Sequence, residues 1–219
     1  MGIPAVILRA VLLLVPLAAW AQAPAAGSDE VPTLSAAQLR GLLPQLRAGG
    51  HVIFFRHATT RLDQEDRPGL DLKDCGSQRN LSEAGRREAA AIGAAWRALR
   101  IPVGRVLASP FCRTRETAQL AFGGVIEVSD DLYFAIGLKP EQRTAKAAAL
   151  RRMLGQAPPA GRNTVLVSHT ANLQEAVGIW PKPDAVALLA RPDGQGGHRL
   201  IGRVPPEAWA LTARGIARP

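Results

Sequence analysis

Three apolar runs in this chain each lead into side chains able to handle a phosphoryl group. "VIFF" is followed by Arg56-His57, "VLVS" by His169, and "GRVLAS" by Arg113 four residues beyond its Ser109. A guanidinium presents a fork of donors that matches two phosphate oxygens, and a neutral imidazole can attack phosphorus directly. Alone, each of these residues reads as a solvated strand end or an ordinary helix residue. The same residue types recurring after three separate runs, if those runs lie side by side, make a phosphate pocket. No acidic cluster stands beside them to hold a metal, so charge stabilisation falls to side chains and backbone, and no metal or other cofactor is expected.

The elements that must position these groups alternate in type. "HVIFF" (51–55) follows Gly49-Gly50 and reads as a buried strand. A helix is expected from the N-cap Ser82 to about Leu99, on the spacing of Ile92, Ala95 and Leu99. A second strand covers 104–109, and Pro110 opens a helix through about Leu120, which puts Arg113 in its first turn. A short third strand (125–128), a helix (144–154) ended by Gly155, a fourth strand (164–168) and a helix (171–177) follow. "AVALLA" and "HRLIGRV" flank the turn-rich "RPDGQGG", which suggests a β-hairpin. The expected fold is α/β: a three-layer α/β/α sandwich with a mostly parallel central sheet and a C-terminal edge hairpin. Ligands of such sheets sit outside the carboxyl ends of the strands, where the four residues would meet.

The amino-terminal segment belongs to none of these elements. Arg9 precedes the apolar run "AVLLLVPLAA", and Ala19-Trp20-Ala21 offers small residues at the positions a signal peptidase reads. The expectation is a signal peptide over 1–21, a flexible lead-in over 22–35 and one domain over 36–214, exported to the periplasm or secreted. The apolar run is short for a bilayer and broken by Pro16, so no membrane span remains after cleavage; retention as an anchor is the alternative. Losing Arg9 with the leader would lower the formal charge of +9 by one. A basic surface attracts anions in general, but the arginines are scattered without interleaved aromatics, which argues against nucleic acid. In an oxidising compartment Cys75 and Cys112, the two cysteines of the chain, could form one disulfide.

The segments "FFRHATT", "NLSEAGRREA", "VLASPFCRTRETA" and "VLVSHTANL" together resemble the histidine phosphatase (phosphoglycerate mutase-like) superfamily, over roughly residues 36–214. "DCGSQRNLS" and "FCRTRETAQLAFG" are similar to its exported bacterial branch, which includes lipopolysaccharide-core heptose phosphatases. The resemblance implies a phosphatase in which His57 is the nucleophile that becomes phosphohistidine. Arg56, Arg113 and His169 would complete its phosphate pocket, with Thr60 and Arg61 as auxiliary substrate contacts, and Gly85 would serve packing. A Cys75–Cys112 bridge would tie the 61–74 loop beside that pocket.

The sequence departs from the family where many members carry a general-acid glutamate shortly after the third strand. Here "VSDDLYFAIG" puts Tyr133 or Phe134 near that position. Asp130, Asp131 and Asp63 are the candidate acids, with Glu65 and Asp66 beside Asp63. Without a well-placed acid an alkoxide leaves slowly, so slow turnover or a preference for good leaving groups is expected. The expected partner is a phosphorylated small molecule or glycan. The alternatives are a catalytically weak or inactive phosphate-ligand-binding protein of the same fold and a phosphoglycerate-type mutase. A fourth option, a metal site from His51, His57, His169 and His198, requires four histidines to converge.

Overall fold

The computed structural model describes residues 31–216, so the expected signal peptide (1–21) and most of the expected lead-in lie outside the described residues. Helix α1 (Ala36–Ala48) precedes strand β1 (Val52–Arg56), and α2 (Glu83–Ala98) leads to β2 (Val103–Ala108). Helix α3 (Cys112–Phe122), β3 (Glu127–Val128), α4 (Pro140–Gly155) and β4 (Asn163–Ser168) continue the alternation. Helix α5 (Thr170–Val177), the pair β5 (Ala187–Pro192) and β6 (His198–Val204), and α6 (Pro206–Ile216) complete it.

One six-stranded sheet has the order β3-β2-β4-β1-β5-β6. The first four strands are parallel to one another, and the β5–β6 hairpin joins β1 antiparallel at the far side. Alternation along β1 divides the core in two. Ile53 and Phe55 pack with Leu39, Leu43, Leu46, Ile92, Trp96 and Trp209 under α1, α2, α3 and α6. Val52 and Phe54 pack with Leu150, Leu154, Leu173 and Ala176 under α4 and α5. A strand buried on both faces must be apolar throughout, which is why "VIFF" shows no alternation. The α/β/α sandwich with its edge hairpin is therefore the observed architecture. Among the described residues no helix is long and apolar enough to cross a membrane.

Several boundaries differ from the sequence expectation. Helix α1 was not anticipated, because Gly41 and Pro44 interrupt a pattern that Leu39, Leu43 and Leu46 nonetheless bury. Its start is marked by a capping box between Ser35 and Gln38. Residues 31–35 are packed rather than loose: Val31 and Leu34 are buried, and Leu34 N and Arg203 N exchange backbone hydrogen bonds with Arg203 and Pro32 carbonyls at 2.8 Å each. Pro110 stays outside α3, whose N-cap is Phe111, whereas Pro140 opens α4 four residues before the expected start. The third strand shrinks to two residues, and the closing helix α6 was not foreseen.

Two glycines of α2 set how closely its neighbours approach. A Cβ on Gly85 would overlap the carbonyl oxygen of Thr59, two residues beyond His57, and one on Gly93 would overlap that of Ala121 in α3. An alanine in an exposed helix interior ordinarily stabilises by about 1 kcal/mol relative to glycine. At Gly85 the sign should reverse: Gly85→Ala is expected to lose roughly 1–3 kcal/mol through overpacking, read from the urea unfolding midpoint.

Candidate functional site

The carboxyl edges of β1, β2 and β4 bring the predicted residues together. Arg56 is the last residue of β1, opposite Ser168 of β4, and His57 N donates to Ser168 O at 3.0 Å. Ser168 hands the chain to His169, the N-cap of α5, and Ser109 N donates to Val167 O at 3.0 Å. The rings of His57 and His169 stand with centroids 5.4 Å apart, both side chains buried. A cavity of about 130 Å³ opens on them, lined by Arg56, His57, Arg79, His169, Phe134 and the first-turn residues Thr170 and Ala171 of α5. Ile136 and Trp180 stand at the same cavity. No side chain caps the start of α5, so its first amides and dipole point positive charge at this space.

His57 is fixed in the form a nucleophile needs. Its Nδ1 lies 2.9 Å from Ala58 O. A carbonyl only accepts, so Nδ1 carries the proton and Nε2 keeps its lone pair. Burial, with Arg113 and Arg56 adding repulsion against a proton, pushes the ring down to about 3 from its usual 6.5. His169 is held well below its usual range for the same reasons, burial first and Arg113 next. Its Nε2 meets Ser109 Oγ at 2.8 Å, while its buried Nδ1 has no partner among the described residues. The chain on either side of the nucleophile is fastened: Ala58 N donates to Thr117 Oγ1 and Thr59 N to Glu88, each at 3.1 Å.

Arg113 lies behind the cavity wall with its side chain fully buried. Its Nη1 donates to Asp66 Oδ1 at 2.9 Å, and its guanidinium carbon sits 4.5 Å over the Phe111 ring and 5.3 Å over Phe134. Nε and Nη2, the other edge of the same fork, are buried without a partner among the described residues. Arg56 is tied to the 180–184 segment, through Pro181 O at 3.2 Å and an ion pair with Asp184. Its Nε is likewise buried and unpartnered. Buried donors of this kind cost free energy unless an acceptor meets them, and an oxyanion supplies several.

Sequence reasoning missed Arg79. This guanidinium lines the cavity, raises the cost of protonating both histidines, and makes no ion pair among the described residues. It arrives on the 61–81 segment, which the Cys75–Cys112 disulfide closes against the start of α3. Around that bridge Cys112 N donates to Gln78 Oε1 at 2.9 Å, and Arg79 N donates to the same Asp66 oxygen that holds Arg113, again at 2.9 Å. The only sequence signal was proximity: Arg79 is four residues from one bridging cysteine, as Arg113 is one residue from the other.

The softer predictions fare differently. Thr60 is buried beside Leu81, in an isolated bridge, and does not line the cavity. Arg61 points elsewhere, half-exposed and paired to Asp63 at 2.6 Å. Asp130 is bound to Lys146 at 2.6 Å on the exposed turn after β3, and Asp131 lies beside the same lysine. No carboxylate lines the cavity: Asp66, Asp184 and Glu88 are committed to Arg113, Arg56 and Thr59, and Glu65 lines a neighbouring space with Asp66 and Arg79. Phe134 occupies the wall where the acid was sought, its ring 4.8 Å from that of His169. The four histidines do not converge. His51 sits at the opposite end of β1, bonded to Gly49 O and Asn163, and His198 begins the edge strand.

The sequence profile of the histidine phosphatase superfamily (branch 1) matches residues 52–133. The likeness in sequence to that superfamily is confined to this segment. Solved structures extend the likeness in fold across most of the chain. The protein histidine phosphatase SixA complexed with tungstate is 18% identical with a TM-score of 0.51, covering 71% of this chain and 97% of that one. A phosphoserine phosphatase mutant from Entamoeba histolytica in complex with phosphoserine is 12% identical at TM-score 0.52, covering 72% of this chain and 98% of that one. The same phosphatase with 3-phosphoglyceric acid gives 14% identity and 0.51, over 73% and 98%. No curated protein sequence matches the chain.

The buried histidines make stability depend on pH in a defined sense. Between about pH 6.5 and about 3 the unfolded chain protonates His57 while the folded chain does not, so stability falls as pH falls through that window. A His57→Gln protein is expected to lose less melting temperature than wild type between about pH 7 and about pH 4.5. Differential scanning calorimetry of the two proteins in matched buffers makes the comparison.

Proposed function

We propose that this chain is an exported phosphatase that hydrolyses phosphate monoesters through a phosphohistidine on His57, without a metal. The observation that carries the reading is the unpartnered edge of buried Arg113, in company with a neutral His57 whose Nε2 is free. In-line attack by Nε2 on phosphorus would spread charge over three equatorial oxygens. Arg56, Arg79, Arg113 and the first amides of α5 are the donors available to them, preorganised around buried His57 and His169. His169 would donate from Nδ1 to a phosphoryl oxygen, with Ser109 Oγ serving its Nε2. Water then attacks the phosphohistidine and returns His57 to its neutral form.

Export rests on the leader-like segment over 1–21 and agrees with a disulfide, which persists in oxidising compartments. The narrower kinship, with an exported bacterial branch similar to lipopolysaccharide-core heptose phosphatases, rests on "DCGSQRNLS" and the cysteine of "FCRTRETAQLAFG". One observation favours a second reading, a phosphate-ligand-binding protein with weak turnover: no carboxylate lines the cavity.

The purified protein is expected to hydrolyse phosphate monoesters in the presence of EDTA and to acquire an acid-labile, alkali-stable phosphoryl label. His57→Ala should abolish both. Full activity in that variant would end the nucleophile assignment, and tight vanadate binding with no turnover on any substrate would favour the binding protein.

Arg79 and the bridge generate a separate expectation. Arg79→Ala should raise KM and the inhibition constant of inorganic phosphate together, roughly 10-fold, the range of one charge-assisted contact. Reduction of Cys75–Cys112 should cost about 2–4 kcal/mol of stability and, at temperatures where the fold survives, move KM in the same direction. Steady-state kinetics with and without reductant test both.

A further inference from the structure

The leaving group of the proposed reaction meets an unusual mouth. A cavity of about 130 Å³ is well below the 300–1,000 Å³ of pockets that enclose a whole small molecule, so the phosphoryl group enters and the rest of the ester stays at the rim. That rim is apolar. Phe134 forms one wall, and Ile136 and Trp180, 61% and 48% exposed, stand beside it among the large apolar side chains that the described surface leaves in solvent.

The backbone next to these side chains is anchored on both sides. Segment 132–135 is bound to α5 and β4: Asn172 Nδ2 donates to Tyr133 O at 2.7 Å, Asn172 Oδ1 accepts from Ala135 N at 3.3 Å, and Ser168 Oγ donates to Leu132 O at 2.9 Å. Trp180 begins the segment whose Pro181 carbonyl and Asp184 carboxylate grip Arg56. The rim is therefore fixed by the same contacts that order the phosphate-facing residues. Preorganised apolar rims of this kind favour a flat apolar group on the ligand.

The second observation is chemical. The cavity has no carboxylate to protonate a departing oxygen. A phenol has a pKa near 10, whereas an aliphatic hydroxyl lies closer to the ~16 of water, so a phenolate can leave without an acid and an alkoxide cannot do so readily. The apolar rim and the missing acid select the same class of ester.

We propose that the site is specific for aryl phosphate monoesters, the aromatic ring of the ester packing between Phe134, Ile136 and Trp180 while the phosphoryl group enters toward His57. This rests on the phosphatase reading above. The lone pair of His57 Nε2 forms the N–P bond as the P–O bond to the ring breaks. The electron pair departs on the phenolate, which takes its proton from water. A second water then cleaves the N–P bond, releasing inorganic phosphate and neutral His57.

The test compares the full-length protein with Trp180→Ala and Ile136→Ala on phenyl phosphate and phosphotyrosine, against glycerol phosphate and hexose 6-phosphates. Inorganic phosphate as a competitive inhibitor reports the inner pocket and, through it, the integrity of each variant. For wild type, kcat/KM on aryl esters is expected to exceed that on alkyl and sugar esters by roughly 100-fold or more, the range a general acid commands. Trp180→Ala should raise KM on aryl esters roughly 10-fold, the range of a stacked aromatic contact, and leave the inhibition constant of phosphate where it was. Sugar phosphates turned over as well as aryl esters, or an aryl preference indifferent to both substitutions, would overturn the proposal. A phosphohistidine label that persists in that case keeps the phosphatase reading standing. Absence of the label and of all turnover removes both.

Discussion

A guanidinium buried to the last atom is the constraint around which this fold is arranged. Arg113 cannot shed its charge at ordinary pH, and removing it from water is tolerable only with compensation. The protein supplies half of that compensation: Asp66 on one edge of the fork and the rings of Phe111 and Phe134 beside the guanidinium. The other edge, Nε and Nη2, has no partner among the described residues. The same concentration of positive charge, added to burial, keeps both imidazoles neutral. Charge placement, packing and the chemistry proposed for His57 thus have one common cause.

Holding Arg113 explains features that look unrelated along the chain. The 61–81 segment contributes Asp66, Arg79 and Gln78, and a disulfide closes it onto the helix that carries Arg113. On the opposite side, the 180–184 segment grips Arg56 and sets Trp180 at the mouth. Gly85 lets α2 close on the Thr59 carbonyl, which keeps the chain after His57 in place. The two faces of the sheet are ordinary apolar cores; the specialised contacts gather at its carboxyl edge, as expected for a parallel sheet.

What could be read from the sequence divides along physical lines. Apolar runs long enough to be buried on both faces announced β1, β2 and β4, and Ser82 announced α2, because those signals are local. Helix α1 escaped notice since its glycine and proline weaken local propensity, which tertiary burial of Leu39, Leu43 and Leu46 overrides. Pro110 misled by two residues, as proline fits the approach to a helix as well as its first position. Arg61 and the aspartates at 63, 130 and 131 were plausible contacts by proximity in sequence, and each has a nearer partner of opposite charge in space.

The sequence by itself determined the α/β class and the strand ends at which Arg56, His57 and His169 emerge, because burial pattern and residue type are properties of short segments. It permitted a Cys75–Cys112 bridge without deciding it. Tertiary structure decided the rest. Only the strand order β2-β4-β1 makes those ends neighbours. Only the folded 61–81 segment brings Arg79 to the cavity and Asp66 to Arg113, and only the packing of 132–135 against α5 puts Phe134 on the wall where an acid was sought. Contacts between residues distant in sequence are set by which surfaces exclude water together, and no local pattern encodes that.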